Sequence, residues 1–96
     1  MPGYAVFDVL EITDQAKMDE YRKGVLATIQ KYKGRVLVAG GKFEVVEGSA
    51  KPTFPVILEF PTLEDAKRWY ESEEYRPLKA LRLAAARTNG FLVPGV

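Results

Sequence analysis

Two acidic residues interrupt apolar stretches of this chain and are the first candidates for chemistry. Asp8 lies in "YAVFDVLEI" and Glu59 in "FPVILEF", and both stretches are rich in the β-branched and aromatic residues typical of strands. Two carboxylates close together in a dry cavity raise the pKa of one of them and make it a general acid or base. The alternative is that each one accepts hydrogen bonds or pairs with Arg or Lys at a subunit interface. We take Asp8 and Glu59 as candidate catalytic residues and keep the alternative open.

Arg82 is the candidate anchor for a ligand. It follows Leu78 by four residues and therefore lies on or beside the apolar face of a predicted helix. A guanidinium in that position suits a carboxylate or phosphate group, because Arg binds such groups through two parallel hydrogen bonds. The alternatives are that its stem packs over the core or that it forms an ion pair with a nearby acid. Those acids are Glu71, Glu73 and Glu74.

Aromatic side chains could line a binding pocket between the predicted helices and sheet. The candidates for this role are Tyr21, Trp69 and Tyr75. Aromatic residues at helical spacing are, however, more often part of the core. Both interpretations remain open at this point.

The composition excludes several classes of chemistry. The chain has no Cys and no His, which removes thiolate and imidazole metal sites, disulfides and the serine–histidine triad. No spacing of acidic residues indicates a metal site, and we expect no cofactor. Fourteen basic and thirteen acidic residues leave a net charge of +1, which argues against nucleic-acid binding.

The chain length predicts a single domain over residues 1–96. The N-terminal "MPGYAVFDVL" has neither the basic region nor the apolar core of a secretory signal. No apolar run approaches the ~20 residues that span a bilayer. We therefore expect no membrane association and a cytoplasmic protein.

The pattern along the chain predicts an α+β domain of order β-α-β-β-α-(α)-β, with an antiparallel sheet and a ferredoxin-like topology. Asp14 is the predicted cap of the first helix and Thr62 of the second, and a further helical segment begins between Ser72 and Pro77. The predicted strands are Tyr4–Ile12, Arg35–Glu47 with a bulge at Gly40-Gly41, Phe54–Phe60 and Phe91–Pro94.

Both faces of the predicted strands are apolar. In the first strand Tyr4, Val6, Leu10 and Ile12 share one face and Ala5, Phe7 and Val9 share the other. Helices cover only one face of such a sheet, whereas a face exposed to water alternates with polar residues. We therefore expect a homodimer in which two sheets stack through their second faces. Because the first and third strands are neighbours in this fold, Asp8 and Glu59 could both point from this second face.

Several motifs resemble a bacterial family, the "domain of unknown function 1330" proteins of the dimeric α/β-barrel superfamily. The resemblance covers nearly the whole chain and is most specific in "LEFPTLEDAKRWYESEEYRPLKALR". Further motifs are "EYR", "KYKGR", "GG", "VVEG" and the closing "VPGV". The resemblance to this family implies a dimeric α/β barrel and no particular reaction. Relatives in the superfamily include cofactor-free oxygenases and isomerases, and fold alone does not transfer their activity.

The chain departs from that family at three positions. Ala39 and Phe54 stand where the family often has Arg, and Ala50 stands where it often has an aromatic residue. Two functions follow as expectations. The first is a homodimer that holds a small organic ligand between helices and sheet. The alternative is a cofactor-independent enzyme acting on a small organic acid or aromatic compound.

Overall fold

The fold is a four-stranded antiparallel sheet with three helices packed against one face, as the sequence pattern predicts. A computed structural model describes all residues from Met1 to Val96. The sheet order is β2-β3-β1-β4, and every neighbouring pair is antiparallel. The elements are β1 (Gly3–Ile12), α1 (Gln15–Lys31), β2 (Arg35–Ala39), β3 (Pro55–Phe60), α2 (Leu63–Glu71), α3 (Arg76–Ala85) and β4 (Ala86–Pro94). This is the ferredoxin-like α+β topology.

Side-chain caps begin the first two helices where the sequence predicts them. The Asp14 carboxylate accepts a hydrogen bond from the backbone N–H of Lys17 at 3.1 Å, and the Thr62 hydroxyl accepts one from Asp65 at 3.1 Å. Each cap satisfies a backbone donor that has no partner inside its helix. The third helix, α3, begins at Arg76, within the predicted interval.

Ser72 joins α2 to α3. Its hydroxyl donates to the carbonyl oxygen of Trp69 at 2.8 Å and accepts from the backbone N–H of Tyr75 at 3.1 Å. Pro77 then lies in the first turn of α3, where its missing N–H costs no helical hydrogen bond.

The predicted second strand is too long. Strand β2 ends at Ala39, and residues 40–54 run outside the sheet with every residue from 41 to 51 exposed. Gly40 adopts a left-handed φ of 73°, which turns the chain away from β3. The segment "FEVV" has the composition of a strand, but the protomer offers it no neighbouring strand with which to pair.

The predicted fourth strand is too short. Strand β4 begins at Ala86, directly after α3, because residues 86 to 90 pair with the second half of β1. A β-bulge between Val9 and Glu11 lies in this pairing. The bulge moves Ile12 to the helix side, where it packs with Met18 and Ala85, rather than to the predicted second face.

The core lies between the sheet and the helices and is centred on aromatic rings. The Trp69 side chain is fully buried, 4.2 Å from Tyr75 and 5.5 Å from Phe60 between ring centroids. Ala5 and Leu58 on the sheet and Ile29 on α1 complete the contact. Large aromatic residues of this kind dominate the burial of a small domain.

The second face of the sheet is left without helices. Direct pairing places Ile57, Val6 and Phe91 in one row across β3, β1 and β4. Paired residues point to the same side of an antiparallel sheet, so this row is apolar. Phe91, which lies on the edge strand β4, is 59% exposed despite its large apolar side chain.

Candidate functional site

A cavity of about 260 Å³ opens between α1 and the helix-facing side of the sheet. Twelve of its fifteen lining residues are hydrophobic, and none is Asp or Glu. The three polar lining residues other than tyrosine are Arg22, Arg82 and Thr88. The apolar and aromatic lining comprises Phe7, Val9, Met18, Tyr21, Val25, Ile29, Val36, Ala39, Phe54, Val56, Leu58 and Trp69. The cavity is thus apolar, with only cationic charge on its wall.

Arg82 is the central polar group of this cavity. Arg82 is only 5% exposed, yet it forms no ion pair with any acid. Its Nε donates to the Tyr75 hydroxyl at 3.3 Å and its Nη1 donates to the Thr88 hydroxyl at 2.7 Å. The guanidinium lies over the Phe7 ring, 5.1 Å from the centroid. The expected alternative partners Glu71, Glu73 and Glu74 do not pair with it.

One end of the Arg82 guanidinium remains available. Its Nη2 makes no hydrogen bond to the protein, and no fully buried side-chain nitrogen or oxygen in the molecule lacks a partner. Nη2 is therefore not sealed in the core. A buried cation held by neutral hydroxyls, with free donors, is a favourable position for an anionic group.

Two tyrosine hydroxyls extend the polar network of Arg82. The hydroxyls of Tyr21 and Tyr75 lie 2.8 Å apart. Burial, and then the neighbouring Tyr75, raise the pKa of Tyr21, so its hydroxyl keeps its proton. Burial acts to lower the pKa of Arg82, but the nearby Tyr75 and Tyr21 outweigh that effect and the pKa is raised. The network therefore presents a permanent cation beside the hydroxyl groups of Tyr21 and Tyr75.

The four predicted ligand-binding residues come together but play different parts. Tyr21, Trp69 and Arg82 line the cavity, whereas Tyr75 lies behind Arg82 and does not line it. The Trp69 Nε1 donates to the Thr28 hydroxyl at 3.0 Å, so the indole offers the cavity only an apolar surface. A role of these residues in ligand binding stays a prediction.

The candidate catalytic acids do not come together. Both lie on the second face of the sheet, but Tyr4 is opposite Glu59 and Pro55 is opposite Asp8. Four residues of strand separate the two positions, about 13 Å at the usual rise. Neither acid lines the cavity beside Arg82. The register of β1 against β3 therefore does not form the dry carboxylate pair envisaged from the sequence.

Each of these acids is engaged by other groups, in keeping with the alternative interpretation. The Asp8 carboxylate accepts hydrogen bonds from the backbone N–H groups of Thr53 and Phe54 at 2.8–3.1 Å. Glu59 pairs with Arg35 at 2.7 Å and accepts a hydrogen bond from the Tyr4 hydroxyl. The hydrogen bond from Arg35 holds the pKa of Glu59 below its usual range. Catalytic roles for both acids stay predictions.

Thr88 and Arg22 are site residues that the sequence interpretation missed. Thr88 lies in "RTNG", which carries no strand pattern and precedes the predicted last strand, Phe91–Pro94. Arg22 shares a helical stripe with Met18, Val25 and Ile29 at spacings of four, three and seven residues. The sequence signal that could have identified Arg22 is its position as a charged residue on an otherwise apolar helical stripe.

A second, more open cavity of about 330 Å³ lies on the other side of Arg82. It shares Phe7, Arg82 and Thr88 with the first cavity. Its remaining walls come from α2, α3 and β4, with Tyr70 and Leu83 among them. Arg82 thus forms part of the partition between two cavities.

No three acidic side chains converge in an arrangement that could hold a metal ion. None of the helices combines the length and apolar character needed to cross a bilayer.

Comparison with known proteins identifies the family. The chain matches the model of the domain of unknown function DUF1330 over residues 2–96. The protein therefore belongs to the DUF1330 family, as the sequence motifs predict. No curated protein sequence matches it significantly.

Solved structures with the same fold share little sequence with this chain. A protein of unknown function from Rhodopseudomonas palustris is 16% identical, with a TM-score of 0.75 over 99% of this chain and 82% of its own. A dimeric protein of unknown function with a ferredoxin-like fold from Bacteroides fragilis is 10% identical, with a TM-score of 0.62 over 98% and 96%. A cofactor-independent oxygenase from Streptomyces nogalater is 11% identical, with a TM-score of 0.60 over 99% and 91%. At these identities the likeness is one of fold.

Proposed function

We propose that this protein binds a small organic anion with an apolar body in the cavity beside Arg82. The observation that carries the proposal is a buried guanidinium without an acidic partner at the wall of an apolar cavity that contains no acid. The volume of about 260 Å³ lies below the range of roughly 300–1,000 Å³ typical of drug-sized ligands, so the ligand is small.

Arg82 favours the anionic group of such a ligand, and the apolar wall of the cavity favours its apolar body. A carboxylate at Arg82 gains charge-assisted hydrogen bonds, which contribute about 1.5–3 kcal/mol each in a protein. The apolar body packs against rings such as Phe7 and Phe54 and leaves water. A neutral ligand of the same shape keeps the contribution from apolar burial and loses the charge-assisted hydrogen bonds.

Trp69 provides the measurement that tests the proposal, because it is the only Trp and lines the cavity. We expect cyclohexanecarboxylate to change its fluorescence in a saturable way and to bind at least tenfold more tightly than the neutral cyclohexanecarboxamide. Arg82→Gln weakens binding of the carboxylate about 10- to 100-fold, the equivalent of one charged hydrogen bond.

Two controls separate loss of the anchor from loss of the fold. Arg82→Gln should still bind the amide as the unchanged protein does, which reports an intact cavity. Arg76→Gln removes an exposed cation from the same helix and should bind the carboxylate normally. Equal affinity of the unchanged protein for acid and amide would refute the proposal.

We infer that two copies associate through the second face of their sheets. The apolar row Ile57, Val6 and Phe91 supports this, since helices cover only the other face. The dimeric state of the Bacteroides fragilis protein of similar fold also supports it.

The alternative function, a cofactor-independent enzyme, has weaker support. The Streptomyces nogalater oxygenase has a similar fold, but its activity does not follow from that likeness. Asp8 and Glu59 are both engaged by other groups and lie away from the cavity. No specific feature of the cavity favours proton transfer over binding.

A further inference from the structure

Arg22 is a second cation on the wall of the same cavity. It lies on the stripe of α1 that faces the sheet, four residues after Met18 and three before Val25. Its side chain is exposed, and it forms neither an ion pair nor a side-chain hydrogen bond. Arg22 therefore lies at the opening of the cavity, whereas Arg82 lies inside.

The Phe54 ring holds the Arg22 guanidinium in place. The distance from the guanidinium carbon to the ring centroid is 5.9 Å, within the range of cation–π attraction. Phe54 itself lines the cavity and packs closely over Gly40. The arginine thus rests on a ring that belongs to the cavity wall.

The backbone of Phe54 is fixed from both sides. Its N–H donates to the Asp8 carboxylate at 2.8 Å, and its carbonyl oxygen accepts from the N–H of Val9 at 3.0 Å. The adjacent Pro55 accepts from the N–H of Gly40 at 2.7 Å. The backbone that carries the ring beneath Arg22 is therefore anchored to β1.

We propose that the cavity selects ligands with two anionic groups joined by an apolar segment, one group bound by Arg82 inside and the other by Arg22 at the opening. The proposal rests on the proposed function and adds the substrate class. Its basis is the presence of two unpaired guanidinium groups, and no acidic side chain, on the wall of one apolar cavity. A ligand with one anionic group leaves the outer guanidinium unused.

Linear dicarboxylates from glutarate to azelate, each compared with its own monoamide, test this selection through Trp69 fluorescence. A symmetrical diacid binds twofold more tightly for statistical reasons alone, because either end can enter. We expect the affinity for the diacid to exceed that for its monoamide by about four- to tenfold at the best chain length. An exposed ion pair contributes this further factor of about two to five. The chain length at which the ratio peaks reports the span between the two guanidinium groups.

Arg22→Gln should reduce the ratio of diacid to monoamide affinity to about two. Lys23→Gln removes the neighbouring exposed cation of the same helix and should leave the ratio as it is in the unchanged protein. A ratio that falls equally in both variants indicates general attraction by positive charge and overturns the proposal.

The outcomes also distinguish this proposal from the one on which it rests. If the monoamides bind through Arg82 but the ratio stays at two for every chain length, the two-anion proposal is wrong and the proposed function stands. If neither diacids nor monoamides bind, both proposals are wrong.

Discussion

At the scale of single residues, the molecule satisfies its buried polar groups with neutral partners. Arg82 donates to Tyr75 and Thr88, and Trp69 donates to Thr28, so no fully buried side-chain nitrogen or oxygen is left without a hydrogen bond. An arginine held by hydroxyls recovers less of its desolvation cost than one paired with a carboxylate, because the attraction between opposite charges is missing. That arrangement is consistent with an anion supplied from outside the chain.

Glu74 is the residue whose titration has the clearest consequence. Its carboxylate accepts from the Tyr32 hydroxyl at 2.7 Å and from the Lys31 ammonium at 3.0 Å. These two hydrogen bonds lower the pKa of Glu74 to about 2 from a usual value of 4.5. A lowered folded-state pKa stabilises the fold above the unfolded value and loses that effect as the pH falls toward 2.

We therefore expect Glu74→Gln to lower the free energy of unfolding at pH 7 and to match the unchanged protein near pH 2. The difference should close between about pH 4.5 and pH 2, the window between the unfolded and folded pKa values. Urea unfolding at a series of pH values provides the measurement. Glu73→Gln, at the exposed neighbouring position, should show no difference at either pH, and a pH-independent loss in Glu74→Gln would contradict the assignment.

At the scale of elements, helices and the central strands could be predicted from the sequence because their signals are local. The caps Asp14 and Thr62 act within four residues, and the apolar, β-branched composition of β1 and β3 is a property of each strand alone. The ends of β2 and β4 could not be predicted, because a strand continues only where a neighbour pairs with it. The composition of "FEVV" is that of a strand, and the composition of "RTNG" is not.

Gly40 ends β2, and its backbone and its surroundings both require glycine. Its φ is 73°, and a Cβ atom there would lie 2.1 Å from the Phe54 ring. Gly41 has no atom within 4 Å of the corresponding position. The two glycines of one motif therefore differ in what they do.

We expect Gly40→Ala to lower the free energy of unfolding by about 1–2 kcal/mol from the left-handed backbone, with a further loss from contact with the ring. Gly41→Ala should change it by less than about 0.5 kcal/mol, as surface substitutions usually do. Chemical denaturation of both variants measures the difference. Equal effects of the two substitutions would show that the pair acts only as a flexible bend.

At the scale of the whole molecule, the unusual feature is a sheet with apolar residues on both faces. The helix side forms the core around Trp69 and the cavity beside Arg82. The other side carries Ile57, Val6 and Phe91 without any cover from the same chain. A second copy that presents the same face would bury these residues symmetrically.

Val6→Glu should convert the dimer to a monomer, because it places a charge at the centre of the apolar row. Analytical ultracentrifugation at micromolar concentration should give about twice the protomer mass of 10.8 kDa for the unchanged protein and about that mass for the variant. Leu83→Glu adds the same charge at an exposed position on α3 and should remain dimeric. A monomeric unchanged protein would refute the stacked-sheet dimer.

The sequence by itself determined the order of elements, the helix caps, the two apolar faces of the sheet and the family. Each of these depends on residues close together in the chain or on motifs that keep their meaning in isolation. Only the tertiary structure decided that Asp8 and Glu59 lie apart and that Arg82 meets Tyr75 and Thr88 instead of a glutamate. The physical reason is that strand register and helix packing bring together residues distant in sequence, and one residue of slip changes every such contact.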